Sequence, residues 1–114
     1  MRIERRKLGT RVRVILNRHE AREACIQVLE KAGRFIRGIV ARSSSMYVGS
    51  SSTEEIQGIG FYVDAIDFEK ACRNVALKRT ELPDDCSFRI GLDSNGNISG
   101  ATFQFYTGIE TEIV

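Results

Sequence analysis

The chain has 114 residues, 42% hydrophobic and 28% charged, with one proline and no tryptophan. That length leaves no room for a second domain of ordinary size, and at this size roughly 65% of the surface leaves water on folding, so a core needs neither disulfides nor structural metal. The formal charge of +2 conceals a division: residues 1–42 carry twelve Lys and Arg against four acids, and the remainder carries five against eleven. Such a split offers a basic face to phosphates or an acidic partner, and it also lets two copies pair head to tail. No apolar run approaches the ~18 residues of a membrane span, and no apolar stretch suited to a signal peptide follows Met1 to Lys7. The three cysteines, Cys25, Cys72 and Cys86, are odd in number and widely spaced. They fit reduced thiols, and a cytoplasmic location is expected.

Met1 to Thr10 is rich in arginine and reads as either a basic arm or a first strand. From Arg11 to Asn17 the pattern alternates, with Val12, Val14 and Leu16 on one face and Arg11, Arg13 and Ile15 on the other. That is strand period. Asn17 then stands as a helix N-cap with Glu20 three residues on, and Ala21, Cys25, Val28, Leu29 and Ala32 form an apolar stripe that ends at Gly33. Phe35 to Ala41 is β-branched and aromatic, a second strand whose flanking arginines Arg34, Arg37 and Arg42 are left for the surface.

Ser43 to Thr53 holds six serines around Met46, Tyr47 and Val48, which is loop composition with room for a short strand; residues 43–55 are taken as a Ser-rich loop. Ile56 to Val63 is the third strand, and Asp64 or Asp67 caps a second helix with the stripe Phe68, Ala71, Cys72 and Val75. Phe88, Ile90 and Leu92 alternate as a fourth strand. Asn95-Gly96 makes a hairpin turn, and Ile98 to Thr107 returns as a fifth strand with Phe103 and Phe105 on one face.

Strand, helix, strand, strand, helix, strand is the α+β, ferredoxin-like split βαβ plan, an antiparallel sheet with two helices on one face, here with an extra C-terminal strand. Within that plan Gln57-Gly58-Ile59-Gly60-Phe61-Tyr62-Val63 resembles the octamer of the RNA recognition motif, a basic residue, glycine, an aromatic, glycine, an aromatic and an aliphatic. Gly58, Gly60 and Phe61 match it, while Gln57, Ile59 and Tyr62 depart from it. The resemblance implies an RRM-like domain that binds RNA on its sheet, with Phe61 as an exposed stacking face.

Other chemistry finds less support. His19 is the sole histidine and sits in the first turn of a helix, without a nucleophile and an orienting group beside it in sequence. His19, Cys25, Cys72 and Cys86 contain no close ligand pair for zinc. Gly58-x-Gly60 leads to Val63 and opens no helix, so no dinucleotide cofactor is indicated. Asp93 to Asn97 is a hairpin turn and not a calcium loop.

The reading is therefore of a non-enzymatic protein that engages nucleic acid, RNA foremost, with Arg11, Arg13, Arg37 and Arg42 on phosphates and Phe61 on a base. Two alternatives stay open. One is a protein-interaction or homo-oligomeric assembly module, and the other is capture of a small anionic ligand such as a nucleotide by the Ser-rich loop with Arg37 and Arg42. No cofactor, metal or membrane is implied.

Overall fold

A computed structural model describes residues 1–5, 11–33, 45–49, 55–56 and 60–107. Two strands open the chain, β1 (Arg2–Arg5) and β2 (Arg11–Leu16), followed by helix α1 (Arg18–Lys31). Three short strands come next, β3 (Ser45–Gly49), β4 (Glu55–Ile56) and β5 (Gly60–Asp64). Helix α2 (Ala65–Leu77) then leads to the hairpin of β6 (Ser87–Leu92) and β7 (Ile98–Tyr106).

Both helices start where the sequence supplies a cap. Asn17 Oδ1 accepts from the Glu20 N–H at 2.9 Å while Glu20 Oε1 accepts from the Asn17 N–H at 3.0 Å, a reciprocal capping box. At α2, Asp64 Oδ1 accepts from the Ile66 and Asp67 N–H groups. That settles Asp64, and not Asp67, as the cap.

Glu20 has a further role. Its Oε1 lies 2.9 Å from the Met1 α-ammonium and its Oε2 3.9 Å from Arg79 Nη1, so one buried carboxylate joins β1, the start of α1 and the segment after α2. Burial raises its pKa, but the hydrogen bonds from the α-amino group and from Asn17, with the charges of that ammonium and of Arg79, outweigh burial and hold it below 4.5.

The class is α+β. Strands β1, β2, β7 and β6 form an antiparallel four-stranded sheet in that spatial order. A smaller sheet has the order β3-β5-β4, with β3 parallel to β5. Here the strand order departs from the split βαβ plan. In that plan β2 would lie beside the strand carrying Gly60 and Phe61; instead its two edges are taken by β1 and β7. The reason is matched alternation: Val12, Val14 and Leu16 stand opposite Phe105, Phe103 and Ala101, so β7 completes the apolar face of β2 residue for residue. The N-terminal segment thus contributes an edge strand at Arg2–Arg5. Residues Phe35 to Ala41, expected as a strand, lie outside the described residues.

The core sits between the apolar face of the larger sheet, the two helices and the smaller sheet. Leu16, Leu29, Phe68 and Phe103 are fully buried in it, with Met46 and Val63 from the smaller sheet. Phe88 touches both Phe68 and Phe103, at centroid separations of 5.9 and 4.8 Å, and so ties α2 to the β6–β7 hairpin. A bulge between Gly91 and Leu92 breaks the alternation of β6, which leaves Leu92 exposed although Phe88 and Ile90 face inward. Gly96 turns the hairpin at φ +83°, and Asp93 Oδ1 accepts from the Asn95 and Asn97 N–H groups, an Asx-type turn.

Candidate functional site

In a strand successive side chains point to opposite faces, so the register that buries Val12, Val14 and Leu16 turns their neighbours outward. Both helices pack on the buried face of the larger sheet, and no described helix packs on the other. Across that open face the register sets the side chains in three rows. Arg2, Ile15, Thr102 and Arg89 make one, Glu4, Arg13, Gln104 and Ser87 the next, and Arg11 with Tyr106 the third. Among the described residues, four arginines from three strands therefore share one surface with a single carboxylate, Glu4. Only Arg2 pairs with it, at 3.4 Å and well exposed, a contact worth little in water.

The other arginines keep their charge available. Arg13 Nε donates to Gln104 Oε1 at 3.0 Å, a neutral partner, and the Gln104 amide nitrogen donates to the Tyr106 hydroxyl at 3.4 Å. Arg11 and Arg89 have no hydrogen-bond or ion-pair partner among the described residues, and Arg11 Nε is buried without one. Tyr106 is 66% exposed beside Arg11. A groove of about 260 Å³ runs between Arg13 and Arg89, floored by Thr102 and Gln104.

Of the residues expected to bind, Arg11 and Arg13 are therefore brought together on an open face, and Arg37 and Arg42 lie outside the described residues. The expectation for Phe61 is corrected. Its side chain is 9% exposed and belongs to the core, because β5 turns Phe61 and Val63 toward the helices and Met46 while Tyr62 points the other way. No stacking face is left on that ring. Gly60 next to it is required by packing: a Cβ there would meet the Ser45 carbonyl oxygen and the Tyr47 ring, each at 2.7 Å.

Arg89, Thr102, Gln104 and Tyr106 were missed. The signal for them was present, since Phe88, Phe103 and Phe105 facing inward forces Arg89, Thr102, Gln104 and Tyr106 outward.

Among the described residues the remaining reactive groups do not gather into a site. Cys25 and Cys72 are fully buried on the helix stripes, and burial pushes the Cys25 thiol up to about 12 and Cys72 up as well, far from thiolate chemistry at neutral pH. His19 is exposed and, among the described residues, meets only Glu23, at 4.0 Å. Among the described residues no three His, Cys, Asp or Glu side chains gather as metal ligands, and no helix is long and apolar enough to cross a membrane. Comparison with known protein families, curated proteins and solved structures finds no match to this chain.

Proposed function

We propose that this chain is a non-enzymatic nucleic-acid-binding protein, with RNA as its foremost ligand, and that the open face of the larger sheet is its binding surface. The observation that carries this reading is the arginine set Arg2, Arg11, Arg13 and Arg89 on a face that, among the described residues, no helix covers and one carboxylate shares. Arginine presents a planar fork of donors that matches phosphate oxygens two at a time. Tyr106, exposed beside Arg11, takes the stacking role first expected of Phe61. A flat sheet with cations in rows and an aromatic at its end suits a single strand, whose bases are free to stack.

The test is fluorescence anisotropy with a labelled single-stranded RNA about a dozen nucleotides long, between about 50 and 200 mM salt. Three phosphate contacts give a log–log salt slope of about −2 for a single strand, hence an affinity loss of roughly 16-fold over that range. Arg11→Ala with Arg13→Ala should flatten the slope and weaken binding. Absence of binding at about 100 μM protein in low salt sinks the reading.

A second reading has one observation behind it. The edge strand β6 carries Leu92, 55% exposed, next to unpaired backbone groups on which another copy could add a strand. A mass that rises with concentration, in protein that does not bind RNA, would favour assembly instead.

A further inference from the structure

We infer that the groove between Arg13 and Arg89 is a built seat for a single phosphate group, the anchor point of the bound strand. The inference rests on the proposed nucleic-acid reading for the source of that phosphate, but its chemistry is fixed by the groove itself.

Three features point there. The groove is donor-rich: Arg13, Arg89, Thr102 and the Gln104 amide nitrogen line it beside Ile15 and Phe88, the Ser87 hydroxyl there donates to the Gln104 carbonyl at 3.3 Å, and no carboxylate is among the described residues that line it. Glu4, the one acid on this face among the described residues, lies on the far side of β2 from the groove, opposite Arg13 on β1. A cation, or a ligand that binds through its own N–H groups, would find few acceptors, whereas an anion with several oxygens meets donors from three strands.

Second, Arg13 is positioned beforehand. Gln104 Oε1 holds its Nε at 3.0 Å, so the guanidinium is oriented with its two terminal nitrogens left to donate. Part of the ordering cost of binding is thereby met before the ligand arrives. The Tyr106 hydroxyl fixes the other end of the same amide, which sets Gln104 in the orientation that Arg13 requires. Arg89 supplies the second, unneutralised charge from across β7. By strand spacing, two strands at about 4.8 Å each and two residues along at about 3.4 Å each, its Cα stands about 12 Å from that of Arg13. Arginine side chains on the two sides of such a gap can converge on one group bound between them.

Third, the size is selective. At about 260 Å³ the groove falls just short of the roughly 300–1,000 Å³ of sites that enclose whole small molecules. It has room for a phosphate and its attachment, and the rest of the ligand must lie along the open face.

The test follows the Arg13 and Arg89 Nε–H signals by NMR in the full chain, first with inorganic phosphate and then with the single-stranded RNA, alongside Arg89→Gln. Arg89 is exposed, and an unchanged thermal midpoint verifies that the variant folds. Expected are shifts of both signals with one shared midpoint, loss of the Arg13 response to phosphate in R89Q, and an RNA salt slope smaller by about 0.7 in that variant. Phosphate shifts without any RNA binding would support the seat and remove the polynucleotide as its source, leaving a free phosphate-bearing ligand. RNA binding with a slope unchanged by R89Q, or different midpoints for the two arginines, would overturn the seat and leave the broader reading standing. No shift with phosphate and no RNA binding would overturn both.

Discussion

The two faces of the larger sheet are written by the same strands, residue by residue in alternation, and they share almost nothing else. On the covered face Val12, Val14, Leu16, Ala101 and Phe103 are at most 3% exposed. On the open face the residues between them, Arg11, Arg13, Ile15, Thr102 and Gln104, are only half-covered by their neighbours. One face carries stability, and the other is the face proposed for binding. The separation is a property of the pleat, so it is sharp: adjacent residues belong to different tasks.

Adjacent substitutions on β7 break or sharpen that contrast most directly. Phe103→Ala empties a fully buried position that touches Phe88 and carries the Arg73 guanidinium 5.3 Å over its ring. It should cost about 3–5 kcal/mol in urea unfolding. Thr102→Ala, one residue away, should stay within about 0.5 kcal/mol. A large loss at Thr102 would mean that the open face is covered by something and is not free for ligand.

Glu20 is the one charged side chain buried among the described residues, and it measures what burial of a charge demands. Glu20→Gln removes the ion pairs to the Met1 ammonium and Arg79 and should cost about 1–3 kcal/mol at neutral pH. Since its folded pKa lies below the ordinary 4.5, the carboxylate contributes stability above that value and loses it as pH falls through the lowered one. Chemical denaturation at pH 7 and at pH 3 should therefore show the wild type losing more stability than the Gln variant. Equal losses would place the acid sensitivity elsewhere.

The smallest effect on stability is expected where the effect on binding is largest. Arg13→Ala gives up one hydrogen bond to Gln104 on the open face and should change stability by about 0.5 kcal/mol or less. Yet it should weaken RNA measurably and reduce the salt slope by about 0.7. A variant that lost stability and kept its RNA affinity would exchange the roles assigned to the two faces.

Much of the local structure was legible in the residues. Asn17 with Glu20 announced the start of α1, Asn95-Gly96 the hairpin, and the alternation of Val12, Val14 and Leu16 a strand with one buried face. What the sequence could not convey was which strands become neighbours. Partner choice depends on pairing across long separations, as in Leu16 opposite Ala101, and local periodicity carries no information about it. That is why the split βαβ plan, read from element order alone, does not give the observed neighbours of β2. The site suffered from the same gap. Arg11 and Arg13 could be read from their own strand, but Arg89 and Gln104 join them only once β6 and β7 are set in register beside β2. Phe61 was misjudged for the opposite reason, because a short motif suggested exposure where the parity of β5 turns the ring inward.

The alternation Arg11-Val12-Arg13-Val14 bears on how the chain finds its fold as well as on what the fold offers. If β2 slid by one residue against β7, every side chain would change faces, and Arg11 and Arg13 would be driven between the helices and Phe103. Burying an unpaired guanidinium costs several kcal/mol even after relaxation, more than most of the contacts a misaligned strand could regain. The charges that look outward thus act as a guard on pairing, closing off the shifted sheet that valine and phenylalanine alone would tolerate.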